Sequence, residues 1–192
     1  MDGLEPWVQR LTDSVGFRAV RQEVNWPNVE AELGIELPKD YKELVEIFGG
    51  GVISRTAIIY TTGPGDPYDL VRRWRSLETS CRENPWSRSR YQPYEFFRPD
   101  SPGLLEWGSS TADDRYYWLV DPVGAKRWPI LALSADWPPF YQFDMTASEF
   151  IWRIACEEEF SQFGVARHMQ PPTFDDPEGN TYAAIGSRDG WP

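Results

Sequence analysis

Between residues 104 and 145 the chain reads LLEW (104–107), RYYWLV (115–120), WPILAL (128–133) and FYQFDM (140–145), four short aromatic and β-branched runs set apart by STADD, DPVGAKR and SADWPP. Short runs of this kind between turn formers read as strands, and connections this brief join antiparallel neighbours, since parallel ones need a long crossover. No other feature constrains the fold as much as this meander. In the second run Tyr116 and Trp118 fall on one face, Tyr117 and Leu119 on the other. A sheet apolar on both faces needs cover, so the expected class is α+β, a central antiparallel β-sheet flanked by helices.

The helices are legible around it. Leu4, Trp7, Val8 and Leu11 stand at helical spacing, and residues 14–25 read as a connector. In WPNVEAELGIELPKDYKELVEIFGGG (26–51), Pro27 suits a first turn and Gly34 a left-handed end. Pro38 opens a second helix, with Asp40 at the positive end of its dipole and Tyr41, Leu44, Val45 and Phe48 as its apolar stripe. Gly49-Gly50-Gly51 ends that helix and leads into a strand-like run, VISRTAIIYTT, which is the reverse of the strand–glycine–helix order of a phosphate cradle. GPGDPYD (63–69) is a turn with a helix start at Asp66-Pro67. Leu70, Val71, Trp74 and Leu77 then form an apolar face, and Arg72, Arg73, Arg75 and Arg82 a solvated basic one. Residues 84–97 show no clear pattern.

Thr146 and Glu149 form a capping-box pattern before Phe150, Ile151 and Ile154, and the helix they open ends in Glu157-Glu158-Glu159, at the end of the dipole where negative charge is unfavourable. Residues 165–192 are rich in Pro, Gly and Asp without periodicity. They are expected to be an irregular C-terminal tail, able to strap the surface through Phe174, Tyr182 or Trp191, beyond a single domain over residues 1–164.

Charge and chemistry narrow the function. Nineteen Lys and Arg against thirty Asp and Glu give a net charge of −11, which makes the phosphate backbone a poor partner, so no direct nucleic-acid binding is expected. No apolar run is long enough to span a bilayer and no signal-like start is visible, so no membrane partner is expected and a cytoplasmic location is. Cys81 and Cys156 lack any paired spacing, His168 has no carboxylate or nucleophile beside it, and Asp113-Asp114 and Asp175-Asp176 read as turn formers. With no nucleophile elbow, zinc-helix, phosphate-loop or dinucleotide pattern, the chain is expected not to be an enzyme and to use no cofactor and no metal.

The order of these words resembles the SMI1/KNR4 family of the SUKH superfamily. The resemblance rests on Trp26, Val29-Glu30, Leu33-Gly34 and Leu37-Pro38-Lys39-Asp40-Tyr41, on the helix running into Gly49-Gly50-Gly51, and on Gly103-Leu104-Leu105-Glu106-Trp107-Gly108. Tyr117-Trp118-Leu119, Trp128-Pro129-Ile130 and Phe143 ahead of the 146–150 helix start extend it over roughly residues 26–154. It departs from the pattern at Ala112-Asp113-Asp114-Arg115, where many relatives have a Gly-Asp pair. The resemblance implies a helix-flanked antiparallel sheet and, for bacterial members, an immunity protein that binds and neutralises a toxin, often a nuclease.

An acidic immunity protein would meet a basic toxin domain, because a nuclease is positive where it holds phosphate. The candidate partner contacts are the loop acids Asp66, Asp69, Asp113, Asp114 and Asp136, the helix-end cluster Glu157, Glu158 and Glu159, and Trp137 as an aromatic anchor. The alternative is a regulatory or scaffold protein-binding module with no toxin partner.

Overall fold

Helices and antiparallel strands alternate through both halves of the structure, so the α+β class is what the chain forms. The structure is a computed structural model and describes residues 3–18, 21–63, 66–124, 127–135, 139–160, 163 and 171–184. These residues divide into two compact units, each assembled from separated stretches of chain. No described helix is long and apolar enough to cross a membrane.

The first unit takes residues 1–23, 39–59 and 146–192. Its helices are α1 (Pro6–Val15), α3 (Lys39–Phe48) and α6 (Ala147–Cys156), and its strands β1 (Val52–Ile53), β2 (Ala57–Ile59), β7 (Thr173–Asp175) and β8 (Thr181–Ala183). The run expected as one strand over 52–62 breaks because Ser54 and Arg55 both take positive φ and reverse the chain, pairing Val52 with Ile58. Leu11, Val15, Leu44, Phe48, Phe150, Ile151 and Ile154 are buried, the inward residues of the three helical stripes. Asp40, at the start of α3, is buried as well, and its Oδ2 accepts from the Ser148 backbone N–H at 2.8 Å. Burial raises its pKa in spite of the hydrogen bonds from Ser148. Half of the expected capping box forms: Thr146 Oγ1 accepts from Glu149 N, but the Glu149 carboxylate turns to Arg153 at 2.9 Å instead of reaching back.

The segment expected to be irregular contributes two strands. Beyond residue 170 the strands alternate about a tight turn in which Asp176 accepts from the backbone N–H of Glu178 and Asn180, so β7 and β8 form a hairpin whose β7 pairs with β1. Phe174 of β7 is 1% exposed and packs with Phe17, Phe48 and Tyr182. Three-residue strands carry too little period to be seen in sequence. Residues 164–170 and 185–192, including His168 and Trp191, lie outside the described residues.

The second unit takes residues 24–38 and 60–145. It holds α2 (Trp26–Leu33), α4 (Leu70–Glu83), the short α5 (Pro85–Ser89), and the strands β3 (Gly103–Ser110), β4 (Arg115–Val120), β5 (Ile130–Leu133) and β6 (Phe140–Phe143). The four strands pair in chain order as the antiparallel meander read from the sequence. α2 ends where expected, with Gly34 at φ +72 and a Cβ there only 2.9 Å from Pro99. On one face of the meander Trp107 stacks on Trp118 at 5.4 Å. On the other, Leu104, Tyr117, Leu131 and Leu133 pack with Cys81, Tyr91 and Phe96.

Gly51 leaves the space that Phe174 fills: a Cβ at that position would lie 2.2 Å from its ring. Gly51→Ala is therefore expected to lower the unfolding free energy by about 1–3 kcal/mol, the usual cost of overpacking. Urea denaturation measures it, and an unchanged midpoint would contradict this packing.

Candidate functional site: a buried glutamate and an arginine-lined cleft

Glu106 lies in the middle of β3, on the sheet face that carries Leu104 and, across the register, Tyr117. The strand is irregular immediately after it, where the pairing slips between Glu106 and Gly108. Such bulges re-aim side chains. The Glu106 side chain is 4% exposed, and a carboxylate so placed must be hydrogen-bonded and paired to stay charged.

Three groups do this. Tyr60 donates its hydroxyl to Glu106 Oε1 at 2.5 Å, Arg73 Nη2 approaches the same oxygen at 3.2 Å and Arg115 Nη1 at 3.1 Å. Arg73 comes from α4, one turn after its Asp69 cap, and also donates to the Tyr60 hydroxyl at 2.9 Å. Arg115 opens β4 and extends its other nitrogen to Asp113. Burial works to lower the pKa of both arginines, but the charges of Glu106 and Tyr60 outweigh it and leave each above its ordinary value. Burial, reinforced by the neighbouring Glu106 charge, pushes the Tyr60 phenol up to about 12.

A cleft of about 240 Å³ opens beside this cluster, with Arg73, Arg90, Arg115, Glu106 and Asp113 supplying its charges. Ser76 and Ser80 of α4 add hydroxyls, and Leu77, Tyr91 and Leu133 an apolar wall.

The acids singled out from the sequence have several roles. Asp69 caps α4, accepting from Arg72 N at 2.7 Å, and also takes the Gly63 N–H at 3.0 Å. Asp66 holds the same loop together through Thr61 Oγ1 and Tyr68 N. Tyr68 in turn stacks on Tyr60, so this loop flanks the glutamate cluster. Asp114 braces the β3–β4 turn through Ser110 Oγ and receives the Ala135 N–H at 3.1 Å. Asp113 sits at φ +72 on that turn, 69% exposed, and lines the cleft. In the first unit Glu157 caps α6 and pairs with Arg153 at 2.6 Å, which relieves its clash with the dipole, while Glu158 and Glu159 are exposed. Asp136 and Trp137 lie outside the described residues. The structure thus brings Asp66, Asp69 and Asp113 around one centre, whose core residues Tyr60, Arg73, Glu106 and Arg115 were not among the residues read as functional.

A family model described as SMI1-KNR4 cell-wall matches residues 23–151, well over half of the chain. The chain belongs to the SMI1/KNR4 family. The match spans Tyr60, Arg73, Glu106 and Arg115, so the cluster lies wholly within the SMI1/KNR4 region. No curated protein and no solved structure matches the chain.

Two outcomes follow for this SMI1/KNR4 domain. Glu106→Gln leaves two half-buried guanidinium groups without their shared counter-charge. It is expected to cost about 2–4 kcal/mol in a denaturant titration, less than for fully buried charges because each arginine keeps some solvent. Burial also raises Tyr116 and Tyr117 above the ordinary phenol value, helped by Asp114 and Glu106 respectively. The folded protein holds these protons more tightly than the unfolded chain, so the stability they contribute is complete below pH 10 and falls as pH rises towards 12. Absorbance of phenolate against pH, compared with Tyr60→Phe, reads this: the variant should lack one late-titrating group.

Proposed function

We propose that the chain is a cytoplasmic immunity protein that binds and neutralises a toxin domain by surface contact and performs no catalysis. The observation that carries this reading is how the charge is arranged. The acid placed deep in the meander face is matched within the fold by two arginines and a tyrosine, an arrangement suited to stabilising a scaffold. The acids that make the chain −11 include exposed ones, Glu158 and Glu159 among them. Membership of the SMI1/KNR4 family supports the same reading, and a basic toxin domain, a nuclease for instance, is the partner that fits the charge.

The test is competition in cells and in solution. Deleting the gene should be harmful only while the toxin gene beside it is intact, and the purified chain should co-purify with that toxin. If deletion is equally harmful without the toxin gene, the regulatory or scaffold reading takes its place. The double reversal Glu158→Lys with Glu159→Lys should slow association with the toxin domain about tenfold at low salt and much less at high salt, as steering requires. A rate that ignores both changes removes these two residues from the interface.

A further inference from the structure

We propose that the outward face of α1 and α6 is the surface on which the toxin domain docks, with the indoles of Trp7 and Trp152 as its anchor. The inference rests on the toxin-binding reading and gives that contact a place in the first unit.

Helical spacing builds the face. Trp7, Arg10 and Ser14 stand at i, i+3 and i+7 on α1, and Glu149, Trp152, Arg153 and Cys156 at i, i+3, i+4 and i+7 on α6, opposite the buried stripes of the same two helices. The two indoles meet across the helices with ring centroids 5.2 Å apart. Both stay partly exposed, whereas Trp26, Trp107, Trp118 and Trp128 are buried.

Arginines fix the rings in place. The Arg10 guanidinium lies 3.9 Å from the centroid of Trp152 and 5.1 Å from that of Trp7, and Arg153 approaches Trp7 at 5.7 Å from the other helix. Trp152 Nε1 donates to Ser14 Oγ at 3.2 Å, and Arg153 is held in turn by Glu149 at 2.9 Å and Glu157 at 2.6 Å. Tryptophan and arginine are among the side chains that carry most binding energy at interfaces, and rings already locked lose little freedom when a partner covers them.

Charge selects the occupant. Along α1, α6 and the turn that follows it, Asp13, Glu149, Glu157, Glu158 and Glu159 stand against Arg10 and Arg153. Arg10 lies on the rings and Arg153 is paired, while Asp13, Glu158 and Glu159 are exposed. An aromatic centre with acids around it fits a basic protein surface. Trp86 of the second unit, at 84% the most exposed indole among the described residues, does not fit one: residues 82–95 hold three arginines against Glu83 and Glu95.

Biolayer interferometry of the full chain on the toxin domain encoded beside its gene tests this. Trp152→Ala should weaken binding about thirtyfold, the loss that marks an anchor residue, mainly through faster dissociation. Trp86→Ala should leave binding unchanged. Because Trp152→Ala also loosens α1 from α6, a footprint on the unaltered chain accompanies it. Cys156 sits one turn beyond Trp152 on the same face and is partly exposed, so the bound toxin domain should slow its alkylation, and by more than it slows that of buried Cys81. Both results are required. If either fails while the unaltered chain still binds the toxin domain, the surface is overturned and the toxin-binding reading stands. If the unaltered chain does not bind, that reading is lost and the surface with it. A Trp152→Ala effect that shows only in the sedimentation of the chain by itself gives the face to a second copy, and overturns the surface as well.

Discussion

A carboxylate placed on the covered face of a β-sheet cannot stay charged on its own, and the second unit of this protein is organised around meeting that demand at Glu106. Desolvating such a group without partners costs several kcal/mol, comparable with the whole stability of a domain. The partners are drawn from three places in the chain: the segment at Tyr60, the first turn of α4 at Arg73 and the start of β4 at Arg115. Each of these elements is therefore tied to β3 by polar contact as well as by apolar packing. Polar ties of this kind have fixed geometry, and they orient an element where apolar packing alone tolerates sliding.

The same cluster divides the charge of the molecule into two populations. Acids such as Asp69 and Asp114 are committed to backbone groups and shape their loops, and Glu106 is committed to arginines. Others, Glu158 and Glu159 among them, are left in water. A count of acidic residues cannot make this distinction. The arginines beside Glu106 have the opposite standing: they line a concave wall, where a local field of either sign is strongest.

Much of the fold is legible in the sequence. The meander, the αL end at Gly34, the stripe on α3 and the Thr146 cap follow from turn residues and periodicity that act locally. The candidate site was less so. Arg73 was assigned to the solvated face of α4, yet Leu70, Arg73, Trp74 and Leu77 stand at i, i+3, i+4 and i+7, and the spacing alone places Arg73 among the inward residues. Its charge concealed its position. The matching signal was Glu106 between Leu105 and Trp107, an acid in an apolar strand run, which calls for a cation from elsewhere. Which cation would answer depends on contacts thirty-three residues apart and on a strand irregularity that no local pattern announces. The hairpin of β7 and β8 escaped for another reason: its strands are held by pairing with β1 and by burial of Phe174, neither of which is encoded near them.

That hairpin has a bearing on how the chain comes off the ribosome. β1 is flanked by β2, made within a few residues of it, and by β7, made more than a hundred residues later. At ordinary elongation rates the wait is on the order of ten seconds, during which one side of β1 has open amide and carbonyl groups and Phe48 lacks its ring partner Phe174. A nascent edge of this sort is a template for pairing with another chain. The short length of β1, two residues, limits how well any stranger can be received there until its own late partner arrives.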